Sequence, residues 1–75
     1  MRRWYLIDDC GDIYFDELAA RTRGAAREEI TDIWDGLTAA DRSRRIAFEA
    51  VLAEPDPEDS RCPDLETTAD IIKIK

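Results

Sequence analysis

The chain reads as a small α+β domain of order ββα(α)ββ, a four-stranded, mostly antiparallel sheet with one main helix packed on one face. Three observations predict this. The first residues carry two β-branched and aromatic runs, Trp4–Ile7 and Ile13–Phe15; a central segment has apolar residues at helical spacing; and Ile46–Ala53 and Ala69–Ile74 supply two further strands. Seventy-five residues predict one domain, 1–75, with a core close to the lower limit for independent stability.

Asp8-Asp9-Cys10-Gly11-Asp12 separates the first two runs, and Gly11 supplies the positive φ that a tight connection needs, so these runs form a β-hairpin. The second strand is expected to continue through Ala20, with a bulge or an early end at Asp16-Glu17 as the equal alternative. Thr22 then stands as N-cap before Ala26, Ile30, Ile33, Trp34 and Leu37, whose offsets of four, seven, eight and eleven define an amphipathic helix over Thr22–Leu37. Gly24 in its first turn costs about 1 kcal/mol relative to Ala, and Gly36 is placed to end it.

Thr38-Ala39-Ala40-Asp41 has capping-box spacing and predicts a second short helix ending in Arg42, Arg44 and Arg45, where cations suit the negative end of the helix dipole. Ile46 to Ala53 alternates with period two. Pro55, Pro57 and Pro63 are expected to prevent further ladder pairing and to leave an acidic loop over about 55–68. The predicted core is Trp4, Leu6, Ile13, Phe15, Ile30, Ile33, Trp34, Leu37, Ile46, Phe48, Leu52, Ile72 and Ile74; Tyr5 and Ile7 make the opposite face of the first strand apolar as well.

Charge is the chain's strongest compositional signal. Eighteen acids against eleven cations give a formal charge of −7, and seven of those acids lie between Glu54 and Asp70 beside a single Arg. Such a balance opposes direct binding of nucleic acid or of an anionic membrane, and it favours a cationic protein partner. No run approaches the eighteen or so apolar residues of a membrane span, and Arg2–Ile7 runs straight into Asp8-Asp9, unlike a secretory h-region, so a cytoplasmic protein is expected. Cys10 and Cys62 are expected to be free thiols.

The residues argue against catalysis. Asp8-Asp9-x-Gly11-Asp12 lacks the ligand ladder and terminal Glu of a calcium loop and reads as a solvated turn. With no His and no CxxC, neither a metal nor another cofactor is expected. The carboxylate pairs Asp8/Asp12 and Glu28/Asp32 fall on a turn and a polar helix face, where nothing would shift a pKa for acid–base work, so no catalytic residue is assigned and the protein is expected not to be an enzyme. Arg42-x-Arg44-Arg45 could hold a phosphate, but a helix end complementing its own dipole explains it more simply.

The segments Trp4–Tyr14, the helix around Trp34 and Leu37-Thr38-Ala39-Ala40-Asp41-Arg42-Ser43-Arg44-Arg45-x-Ala47-Phe48 resemble a family of short uncharacterised proteins carried by prophages and other mobile elements. That resemblance implies a context in which small acidic accessory proteins inhibit host defence, and anti-CRISPR proteins are similar in size, simplicity and charge. It implies no site residues. Two functions are therefore expected in order. The first is an inhibitor that blocks a basic nucleic-acid-binding protein, such as a CRISPR effector, through Asp56, Glu58, Asp59, Asp64, Glu66 and Asp70 of the loop region, helped by Asp8, Asp9 and Asp12 of the turn or by Glu28, Glu29, Asp32 and Asp35 of the helix. The second is a non-enzymatic structural or regulatory module, joined as a homodimer through a sheet face or edge, whose acidity serves only solubility.

Overall fold

A computed structural model describes all 75 residues. Its elements are β1 (Arg3–Asp9), β2 (Ile13–Glu17), α1 (Arg23–Asp35), α2 (Ala39–Arg44), β3 (Ala47–Pro55), β4 (Pro63–Asp64), a 3₁₀ turn at Leu65–Thr67, and β5 (Asp70–Lys73). The sheet is antiparallel throughout, in the order β2-β1-β3, and the outer edge of β3 is shared end to end by β5 and the two-residue β4. The architecture is the α+β fold that the patterns predict, with the added β4.

The β1–β2 turn closes on Gly11, whose φ of 109° is one that side chains strain to adopt, and the Asp9 carboxylate accepts the Gly11 N–H. β2 stops at Glu17, the early end that Asp16-Glu17 left open, and does not run on to Ala20. The reason lies in the backbone after it: Leu18 N–H still donates to the Trp4 carbonyl, but the Ala19 and Ala20 N–H groups turn away to the Glu29 carboxylate at 3.1 and 2.9 Å. Glu29 thus ties the strand's exit to the helix it leads into. Thr22 caps α1 through its hydroxyl, accepting from Ala25 N–H, and Thr38 caps α2 from Asp41 N–H. Gly36 stays right-handed and its N–H still bonds the Asp32 carbonyl; α1 ends because Leu37 N–H tightens to the Trp34 carbonyl and Thr38 then adopts the extended backbone of the next cap.

One face of the sheet carries Trp4, Leu6, Phe48, Ala50 and Ile72, and α1 covers it with Ala26, Ile30 and Trp34, which recur every four residues. The Trp34 and Phe48 rings meet tilted at 4.9 Å between centroids. Three residues of the predicted core are instead exposed: Ile13 at 60%, Ile33 at 38% and Ile46 at 71%. Ile13 sits on the outer strand, on the face away from α1; Ile33 lies about 60° around the helix from Ile30; and Ile46 precedes β3, outside the ladder. Phe15 is half-buried.

The opposite face is covered at its centre, while Ile13 and Ile71 at its edges stay exposed. Tyr5, Val51 and Ala53 point to it and are all buried, because residues 55–68 fold back across the sheet there rather than standing off as a loop. The prolines do not prevent pairing. Asp56 N–H donates to the Cys62 carbonyl at 2.9 Å, which places Pro55 opposite Pro63 at the intervening pair, where neither strand offers an N–H to the other. At the neighbouring pair the Thr67 hydroxyl accepts from Glu54 N–H and donates to the Asp64 carbonyl, both at 2.7 Å.

Two substitutions test this packing. Phe48→Ala, at a fully buried position under Trp34, should lower unfolding free energy by about 3–5 kcal/mol in urea. Gly24→Ala should raise it by about 0.5–1 kcal/mol, since nothing lies within 4 Å of the added Cβ and the helix gains a better former. A loss on Gly24→Ala would mean that α1 begins later than Arg23.

Candidate functional site

With no deep cavity walled by a separate core, the candidate site is a surface, and its electrostatics follow from which carboxylates the fold has already engaged. Asp8 of β1 is held by Arg45, whose Nε lies 2.9 Å from Oδ1 and donates to Oδ2 at 3.1 Å. Their side chains are only 17% and 15% exposed, and this is the one substantially desolvated ion pair of the protein. Arg45 Nη1 also donates to the Asp41 carbonyl, and Ile46 N–H to the Asp9 carbonyl, so the pair moors the end of α2 to the end of β1. Asp8 is a structural residue.

Most of the acidic segment is engaged in the same way. Asp56 accepts Glu58 N–H, Asp59 accepts Arg61 through both backbone and guanidinium, and Asp64 accepts Glu66 N–H. These are Asx turns, in which a short acid folds its own loop. The Arg61 hydrogen bonds hold the Asp59 carboxyl below its usual pKa, and the Arg44 side chain, with the Thr38 hydroxyl, does the same to Asp41. Asp70 pairs with Arg23 at 2.9 Å, bridging β5 to α1, and Asp9 and Glu29 hold the backbone contacts described above. Seven of the thirteen nominated acids, Asp8, Asp9, Glu29, Asp56, Asp59, Asp64 and Asp70, are thus engaged within the molecule.

The other six, Asp12, Glu28, Asp32, Asp35, Glu58 and Glu66, have no ion pair or hydrogen bond. They do not form one surface. Glu28, Asp32 and Asp35 face outward from α1 on one side of the sheet, Glu58 and Glu66 belong to the segment on the other, and Asp12 lies at the hairpin tip. Two further unpaired acids, Asp16 and Glu49, were not expected at the site because they lie within strands and outside the acid-rich segments. Among cations only Arg21, Arg27 and Lys73 are similarly unengaged. No three acids or cysteines come together as a metal site, and no helix is long and apolar enough to cross a membrane. Cys10 and Cys62 are free thiols.

The Glu28, Asp32, Asp35 stripe is the densest unpaired set. Helical rise places its members roughly 6 Å and 4.5 Å apart along the axis. Its charges oppose helix stability: α1 has no acid in its first turn and no base in its last, Arg23 lies at the positive end of the dipole, and Asp32 and Asp35 lie at the negative end. Like charges at three- and four-residue spacing add repulsion.

No protein-family model matches this chain, and neither a curated protein nor a solved structure does.

Neutralising the acidic segment should divide it into two groups. Asp56→Ala with Asp64→Ala removes the oxygens that accept Glu58 and Glu66 N–H in the segment covering Tyr5, and should lower unfolding free energy by about 0.5–2 kcal/mol, as loss of a cap does. Glu58→Gln with Glu66→Gln should change it by less than about 0.5 kcal/mol. Equal effects in chemical denaturation would show that the segment does not depend on its Asx turns.

Tyr5 allows a pH test of the same segment. Its hydroxyl donates to the Ser60 carbonyl at 3.1 Å, and burial, with Glu17 adding repulsion, pushes its pKa above the ordinary value of 10.0. The fold therefore prefers the neutral phenol. Its contribution is fully present below about pH 10 and is lost as pH rises through the folded value. Tyr5→Phe should cost about 0.5–1.5 kcal/mol at neutral pH, and the gap between parent and variant should narrow from about pH 10 upward. A gap independent of pH would show that Tyr5 ionises freely in the folded protein.

Proposed function

We propose that this chain is a small acidic binding inhibitor of the anti-CRISPR type, which acts in the cytoplasm without catalysis by occupying a basic, nucleic-acid-binding surface of a defence nuclease. The observation that carries the reading is the Glu28, Asp32, Asp35 stripe on α1: three exposed carboxylates with no partner, two of which, Asp32 and Asp35, lie in the last turn where the helix dipole disfavours them. Acidity serving only solubility could sit anywhere on the surface, including the first turn of α1, where it would stabilise the helix.

The physical case is phosphate replacement. Phosphates follow one another at about 3.4 Å per strand along a duplex, and the stripe offers carboxylates at roughly one to two such steps. A Lys- and Arg-lined channel attracts both by the same Coulomb term. The net charge of −7 speeds the encounter.

The role expected of the loop shifts accordingly. Asp56, Asp59 and Asp64 hold turns, so only Glu58 and Glu66 of that segment remain for a partner. The competing reading, a homodimeric structural or regulatory module, draws its support from the exposed Ile13 and Tyr14 of the outer strand.

The decisive measurement is cleavage by purified CRISPR effector complexes with and without the protein. Inhibition should be competitive with nucleic acid and should weaken between 0.1 and 0.5 M salt, as exposed charges are screened over about 8 Å at physiological ionic strength. Glu28→Gln, Asp32→Asn and Asp35→Asn together should reduce inhibition by at least about tenfold, while Asp35→Asn alone should stabilise the fold by about 0.3–1 kcal/mol. An effector panel unaffected by the protein, with a dimer in sedimentation, would favour the structural module.

A further inference from the structure

β2 is the outermost strand, and nothing pairs with its second edge. Because Leu18 N–H donates to the Trp4 carbonyl, the alternation of the antiparallel ladder turns the backbone of Tyr14 and Asp16 toward β1 and directs that of Ile13, Phe15 and Glu17 outward. Exposed edges are usually blunted by Lys, Pro or a bulge. β2 has no Lys, Pro or bulge and an unbroken register with β1; the charges it carries, Asp16 and Glu17, oppose an acidic strand and attract a basic one.

The surroundings form a seat for a strand. All five residues of β2 line one wall of a groove of about 530 Å³, and the Asp59–Cys62 turn lines the other. Ile13 and Tyr14 are 60% and 56% exposed beside it. The two faces of the edge differ in character. Ile13 and Phe15 project on the groove side, whereas Tyr14 and Asp16 project on the other; Asp12 lies in the turn that leads into the strand, and neither Asp12 nor Asp16 has a cation.

We propose that this edge receives an extended segment of the partner as an added antiparallel strand, with basic residues at alternate positions meeting Asp12 and Asp16 and apolar residues between them meeting Ile13 and Phe15. The choice of a basic occupant rests on the function proposed above and on charge. A second copy of this chain would add its own Asp12, Asp16 and Glu17 to an edge that already carries the same acids, between molecules that each carry −7. A strand of alternating Lys or Arg replaces that repulsion by attraction.

The probe is a blocked heptapeptide of alternating Lys and Val, in three forms: unmodified, N-methylated at every Val, and N-methylated at every Lys. Added to the isotope-labelled protein, the unmodified peptide should shift the amides of Ile13, Phe15 and Glu17 and slow their hydrogen exchange. Because an added strand bonds along one edge only, one methylated form should bind at least tenfold more weakly and the other nearly as well as the parent peptide. Ile13→Pro, which removes an outward N–H at a position where an edge strand tolerates proline, should weaken binding without lowering the melting temperature by more than a few degrees. Shifts confined to Glu28–Asp35, or equal binding of all three peptides, would overturn strand addition while leaving a basic partner in place. Absence of binding, or dimerisation through β2 that excludes the peptide, would overturn it as well.

Discussion

β1 is apolar on both faces, and the rest of the chain is organised around covering it. Trp4 and Leu6 point one way and Tyr5 the other, so a sheet with a single helix would leave a buried-type face in water. A chain of 75 residues has no second full helix for that face. It uses the segment after β3, tied down by the Tyr5 hydroxyl on Ser60, the Thr67 hydroxyl between Glu54 and Asp64, and the Arg2 guanidinium on the Thr67 carbonyl. Such a cover is polar in sequence and structural in role, because its contribution lies in excluding water from Tyr5 and Val51 and not in its own apolar area.

That constraint explains what was legible in the sequence and what was not. Elements governed by local chemistry were readable: Thr22 and Thr38 cap the helices they were expected to cap, Gly11 takes the positive φ, and Ala26, Ile30 and Trp34 form the stripe that meets the sheet. The failures are all tertiary. Ile13 and Ile46 carry strand-core side chains, yet their exposure depends on where the sheet ends and on what crosses its far side. The pairing of Pro55 with Pro63 is invisible until the register shows that neither position needs an N–H.

Charge density was misleading for a related reason. Carboxylates accumulate in a loop either because a partner selects them or because Asp is a good residue for making turns, and composition does not separate the two. Here Asp56, Asp59 and Asp64 each accept an N–H two residues ahead, so the segment richest in acids has few left for anything else. The sparser row on α1 is more informative because it violates a local rule. Sequences that agree with their fold at every level need no functional explanation, whereas a departure from the helix dipole at Asp32 and Asp35 calls for one.

The open edge of β2, guarded by acidic charge alone, is a departure of the same kind, and the two lie in different parts of the molecule. One is a row of side-chain charge on a rigid helix, suited to fast and salt-sensitive encounter; the other is a row of backbone groups beside a groove, whose hydrogen bonds form only when a strand is in register. A partner that used only the helix would be held by screened charges and would dissociate readily. One that also docked on β2 would add directional bonds that salt does not screen. Salt should then act mainly on the rate of association at α1, while the residence time is set at β2.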